Sequence, residues 1–203
     1  QAVVPVATTE FEPSVATLRP VYLTGEAIDV QVEIKDRSGK ALARDANAVL
    51  LRLEQRARHK NKALAQELDT VEVEVEKKPL KSGADGKARV SFQAPKGGFY
   101  RVRVEAQDRF GNVVTGSTML TVSGDDDAVK LRLLGDRDQY RVGEQVVVRV
   151  MNRAAAHLAL VAVQGDAVLW HAARVIPKGE STLTLDLQAL HAPNFALAVS
   201  MVD

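Results

Sequence analysis

Tyr22-Leu-Thr-Gly25-Glu26-Ala-Ile28-Asp-Val30-Gln-Val32 and Tyr140-Arg-Val-Gly143-Glu144-Gln-Val146-Val-Val148-Arg-Val150 are two versions of one phrase, 118 positions apart. In each, a Gly-Glu turn opens a stretch whose alternate residues are apolar. Glycine supplies the positive φ of a tight turn. Period-two alternation is the mark of a strand with one buried face. A phrase repeated at this distance predicts one β unit used twice in tandem.

Strand signals extend outward from the first copy. Ile28, Val30, Val32 and Ile34 alternate with Asp29, Gln31, Glu33 and Lys35. Val71, Val73 and Val75 alternate with Glu72, Glu74 and Glu76, which predicts that the valines face the core and the glutamates face solvent. Shorter stretches at 15–18, 48–56, 88–93, 98–107 and 113–122 complete about seven strands, the number that closes a sandwich. Turns fall at Asp36-Arg-Ser-Gly39-Lys40, Ala84-Asp85-Gly86-Lys87 and Arg109-Phe-Gly111-Asn112. In strand 48–56, Leu51 and Leu53 read as inward. Arg52 and Arg56 then point outward as partners of the glutamate row. Residues 56–68 read either as a long hairpin loop or as a loop holding a short helix over Ala63–Leu68.

Gly124-Asp125-Asp126-Asp127 interrupts the pattern. Six more strand signals follow, at 129–134, 145–151, 158–164, 167–172, 182–187 and 195–202. The division expected is a leading tail or linker at 1–13, a first sandwich at 14–124, an acidic linker at 125–127 and a second sandwich at 128–203 that lacks its last strand. Beginning at Gln1 without Met, the chain reads as a piece of something larger.

Composition narrows the function. With 27 Lys+Arg against 26 Asp+Glu, no overall field favours nucleic acid or an anionic membrane. There is no cysteine, so disulfides, thiolate metal sites, thiol catalysis and a thioester are excluded from this stretch. No run of 18 apolar residues offers a transmembrane helix. The basic run Arg56 to Lys62 has no interleaved aromatics and is followed by acidic residues, as in a hairpin with opposite charges on its outer faces.

His59, His157, His171 and His191 form no metal-binding spacing, and no nucleophile elbow is present. Asp125 to Asp127 lacks the rhythm of a calcium loop and reads as a solvated linker. His171, beside Trp170, reads as a packing or edge residue. The sequence therefore offers no catalytic, cofactor-binding or metal-ligating residues and calls for no cofactor.

At Tyr22-x-x-Gly25-Glu26 and Tyr140-x-x-Gly143-Glu144 the chain resembles the macroglobulin-like domains of the bacterial branch of the α2-macroglobulin family. Asp85-Gly86-Lys87-Ala88 is similar to the Asp-Gly-x-Ala turn of these domains. The stretch from Pro95 through Gly98, Tyr100, Val102, Ala106 and Asp108 to Gly111 is similar to their closing segment. Leu131 to Val150, Ala159 to Val161, Val168-Leu169 and Pro193-Asn194-Phe195 resemble the domain that starts the bait-region segment.

The resemblance implies an all-β chain of two consecutive antiparallel β-sandwich domains, macroglobulin-like or fibronectin-III-like. It implies a scaffold segment of a protease trap in envelope defence, not an enzyme. Its partners are then neighbouring domains of the parent chain, proteases trapped by the whole protein and other envelope proteins. The implied place is the periplasm, in a parent anchored to the inner membrane by a part outside this chain. A rival reading is a tandem Ig-like stalk of a bacterial adhesin, with repeats of near-constant length leading to a binding domain. A carbohydrate-binding module is disfavoured, because one Trp, three Tyr and five Phe leave too few aromatics for an exposed row.

Overall fold

The computed structural model describes residues 9–57, 68–125, 127, 129–137 and 139–201. The chain is all-β and divides into two compact units, 1–124 and 125–203.

The first unit contains β1 (Phe11–Thr17), β2 (Val21–Leu23), β3 (Ala27–Asp36), β4 (Asp45–Ala57), β5 (Leu68–Lys81), β6 (Lys87–Gln93), β7 (Gly98–Gln107) and β8 (Val113–Ser123). One sheet has the order β1-β3-β6 and the other β2-β8-β7-β4-β5. Every pairing is antiparallel except β2 with β8. The alternation read in β3 is realised: Ile28, Val30, Val32 and Ile34 are buried in one core with Leu50, Tyr100, Val102 and Val104. Each such side chain contributes about 1.5–3 kcal/mol by leaving water.

The second unit contains β9 (Leu131–Gly135), β10 (Gln145–Asn152), β11 (His157–Gln164), β12 (Val168–Ile176), β13 (Gly179–Asp186) and β14 (Ala196–Met201). A single 3-10 turn, Ala189–His191, lies between the last two. The sheets are β9-β10-β13 and β12-β11-β14. Strand by strand, β9-β10-β13 repeats β1-β3-β6, and β12-β11-β14 repeats β5-β4-β7. Among the described residues, no strand pairs with the outer edge of β14, the place that β8 fills beside β7. Residues 139–141, the counterpart of β2, form no strand. The two differences go together, since among the described residues β8 is the strand that pairs with β2.

Three expectations are corrected. The sandwich begins before residue 14: Phe11 is fully buried and Pro13 pairs with Ile34, so both belong to β1 rather than to a leading linker. In β4 the inward parity belongs to Ala46, Ala48 and Leu50, which pair with Ala106, Val104 and Val102 of the core. Leu51 and Leu53 lie on the other face. Their run, Ala48-Val-Leu-Leu-Arg-Leu53, is apolar in both parities, so alternation alone does not choose between them.

The glutamate row is also divided. The β4–β5 pairing shifts register between Leu50 and Leu51, leaving Val75 without a cross-strand partner. This bulge reverses the parity of β5. Val75 packs against the core, while Val71 and Val73 are only half-buried. Glu76 falls beside Leu50 and pairs with Lys78. The outward Glu72 pairs with Arg101 and Arg103 of β7, and not with Arg52 or Arg56, which both reach Glu54. Arg101 and Arg103 stand opposite Leu51 and Val49. Val49 and Leu51 are buried although they lie on the outer face, and the stems of long cationic side chains opposite such residues are suited to covering apolar surface.

The edge strand β5 carries Lys77, Lys78, Pro79 and Lys81, residues that discourage further strand addition. Residues 58–67, including His59 and most of the basic run, lie outside the described residues. The choice between loop and helix over Ala63–Leu68 lies there too, except that Leu68 opens β5.

Candidate functional site

The repeated phrase folds into the same corner in both units. In the first, Gly25 takes a φ of 82°, and the Glu26 carboxylate accepts the Leu23 N–H at 2.8 Å. In the second, Gly143 takes a φ of 93°, and the Glu144 carboxylate accepts the Arg141 N–H at 2.8 Å. The glycine N–H donates to the residue that follows the neighbouring strand, Ala94 at 3.3 Å or Leu187 at 2.9 Å.

An arginine three positions before each tyrosine completes the corner. Arg19 lies 4.6 Å from the centre of the Tyr22 ring and 3.2 Å from Glu26. Arg137 lies 4.5 Å from the Tyr140 ring and 3.3 Å from Glu144. The repeat is therefore Arg-x-x-Tyr-x-x-Gly-Glu. Sequence reading missed its first member, although the offset of 118 carries Arg19 onto Arg137.

The two corners differ where their surroundings differ. Tyr22 is buried and its hydroxyl accepts the Arg19 N–H at 3.2 Å. Tyr140 is half-buried and its hydroxyl donates to the Asp136 side chain instead. Burial, then the hydrogen bond and charge of Asp136, push the Tyr140 phenol upward. The Arg141 N–H, helped by the Arg137 guanidinium, holds the Glu144 carboxyl below the usual range.

A second repeated device is the turn Asp-Arg-x-Gly. Asp36 Oδ1 accepts the N–H groups of Ser38 and Lys40, each at 2.9 Å. Asp108 Oδ1 accepts those of Phe110 at 2.9 Å and Asn112 at 2.8 Å. These bonds stabilise the ionised form. The Asn112 amide foremost holds Asp108 below 3.8, and the Ser38 hydroxyl foremost does the same for Asp36. A carboxyl depressed in the folded state stabilises the fold above its unfolded value and loses that contribution as pH falls through the folded value. The melting temperature of Asp108→Asn is thus expected to be lower than that of the parent at pH 7. The gap should narrow below about pH 4 as the parent's carboxylate protonates. Thermal melts from pH 7 to pH 2 check this, and a gap that stays constant contradicts it.

The three described histidines lie on separate elements. His157 starts β11, His171 is exposed on the edge strand β12, and His191 is buried in the 3-10 turn. His191 Nδ1 accepts the Gln188 N–H at 2.9 Å. Among the described residues no group of three His, Asp or Glu side chains could hold a metal ion. Within the acidic linker, Asp127 is engaged by Arg132 at 2.7 Å and accepts the Val129 N–H at 3.0 Å.

The second unit also contains a cleft of about 430 Å³ between its two sheets. Its core is divided into two small clusters, around Val146, Val148 and Leu187 and around Val150, Ala159 and Ile176. The first unit has one continuous core. Leu169, Trp170, Leu183, Leu185 and Phe195 line the cleft. Sequence reading gave Trp170 no role of its own, because a lone aromatic on a strand carries no spacing signal.

No family model matches the sequence, and no curated protein matches it. Solved structures do align with it. The native conformation of Escherichia coli α2-macroglobulin aligns at 14% identity and a TM-score of 0.45, over 97% of this chain and 15% of that one. Salmonella α2-macroglobulin reacted with methylamine aligns at 14% identity and 0.45, over 95% and 15%. The sporulation control protein Spo0M of Bacillus subtilis aligns at 10% identity and 0.42, over 95% and 91%. The chain thus spans about 15% of the length of these two bacterial α2-macroglobulins.

Proposed function

We propose that this chain is a scaffold segment of a bacterial α2-macroglobulin-like protease trap, with no catalysis of its own. The observation that carries the reading is the corner Arg-x-x-Tyr-x-x-Gly-Glu, built twice with the same bonds in consecutive sandwiches. A repeated corner of this kind sets the entry of one strand in each unit and bears no nucleophile paired with a base. Its chemistry is that of positioning. The working parts of a trap, an exposed bait segment and the domains that close on the attacker, belong in this reading to other parts of the parent. The parent acts in the periplasm against endopeptidases, and this segment's direct partners are its neighbouring domains.

The test incubates the 203-residue chain with several endopeptidases and a large protein substrate, then measures residual proteolysis. Proteolysis unchanged at molar excess of the chain is the expected result. Stoichiometric inhibition would overturn the scaffold role and indicate direct blocking of the protease active site.

A further inference from the structure

We propose that the cleft of the second unit is a binding site for a small amphiphile with an apolar body and one carboxylate head. The site goes beyond the scaffold role and does not depend on it.

The first argument is the contrast between the two units at one edge. In the first unit, the edge between β5 and β6 is closed. Lys78, opposite the buried Ala48, reaches across to donate to the Ser91 carbonyl at 2.7 Å and lies 5.2 Å from the Phe92 ring centre. In the second unit, the corresponding edge lies between β12 and β13. Arg174 stands opposite the buried Ala159, as Lys78 stands opposite Ala48. It lines the cleft and is exposed, and its guanidinium makes no hydrogen bond or ion pair with the described residues. The cation that latches one unit is unengaged in the other, and the edge stays open.

The second argument is the lining. A volume of about 430 Å³ falls within the range of small-molecule sites, which combine apolar walls with a few polar groups. Trp170 stands opposite the buried Val163, so its indole belongs to the inward side of β12 although 42% of the residue remains exposed.

The third argument is charge. Of the carboxylates on β13, Glu180 is held by Arg149 at 2.8 Å, and Asp186, which also lines the cleft, accepts a hydrogen bond from Gln145 at 2.8 Å. A guanidinium fork matches a carboxylate in two parallel hydrogen bonds and is weakly hydrated, so it suits the mouth of an apolar cleft. The body of the ligand would lie on Trp170, Leu169 and Leu185, with its head at Arg174.

Trp170 is the chain's single tryptophan and reports directly on the site. The experiment titrates the chain with decanoate, decanol and decyltrimethylammonium, each below its aggregation concentration, and follows tryptophan emission. Decanoate should give a saturable change at a concentration at least tenfold lower than either of the others. In Arg174→Gln that preference should collapse to less than about threefold, while decanol binding persists. A circular dichroism spectrum equal to that of the parent shows that the variant is folded, as expected for an exposed edge residue. No saturable response to decanoate, equal affinity for the three probes, or a preference that survives in Arg174→Gln would each overturn the proposal.

Discussion

Gly116→Val is expected to unfold the first unit or lower its melting temperature by on the order of 10 °C or more. Gly116 sits in β8, where β1 of the opposite sheet passes directly over it. A Cβ at this position would fall inside the van der Waals envelope of the Pro13 carbonyl oxygen, with the Pro13 side chain also close. Backbone cannot yield as the tip of a flexible side chain can, so the strands must separate. Separation loses the burial of Phe11 and of Val114 on either side of the contact. A cost above about 3 kcal/mol follows, at the upper end of overpacking effects. Ser117→Val changes the adjacent, exposed position of the same strand and should move stability by no more than about 0.5 kcal/mol. Comparable melting temperatures for the two variants would contradict the close passage of β1 over β8.

Asn152→Asp should cost the second unit about 3 kcal/mol or more. Asn152 is fully buried at the end of β10. Its Nδ2 faces the carbonyl oxygens of Ala155 at 2.9 Å, Pro177 at 3.1 Å and Ile176 at 3.3 Å, while its Oδ1 accepts the Ala154 N–H at 2.9 Å. One amide thus joins the turn after β10 to the end of β12. A carboxylate of the same shape turns three attractive contacts into repulsions between oxygens and buries a charge with no cation to meet it. The same change at the exposed Asn194 should alter stability by less than about 0.5 kcal/mol. Denaturant titration monitored by Trp170 emission compares the two, and equal midpoints would refute the role of Asn152.

Those two positions show where the sequence was legible and where it was not. The alternation Ile28-Val30-Val32-Ile34 and the two Gly-Glu turns are local patterns, and the strands they predict are present within a residue or so. The close approach at Gly116 is not local. It depends on Pro13, about 100 positions earlier, in the stretch 1–13 that reads as a leading tail or linker. Asn152 occupies the place of Ile34 in the repeat, so the alignment gives no hint that this position is polar and clamping. The facing of Glu76 was unreadable because one bulged residue, Val75, reverses every side chain beyond it. Of the candidate sites, the corner was readable except for its arginine. The cleft was not, because an unclosed edge is a property of two strands failing to meet, and no residue type marks it.

The duplicated corner is tested most directly by amide hydrogen exchange in Glu26→Ala and Glu144→Ala, compared with the parent chain. Each carboxylate holds one N–H at 2.8 Å, Leu23 in the first unit and Arg141 in the second. Removing Glu26 should speed exchange at Leu23 by tenfold or more and leave Arg141 unchanged. Removing Glu144 should do the reverse, as expected for a hydrogen bond to a charged acceptor worth about 1.5–3 kcal/mol. Matched, reciprocal losses of protection at Leu23 and Arg141 are the predicted result. Loss at one amide with none at its counterpart would show that the two phrases do not build the same corner, and the tandem scaffold reading would lose the observation that carries it.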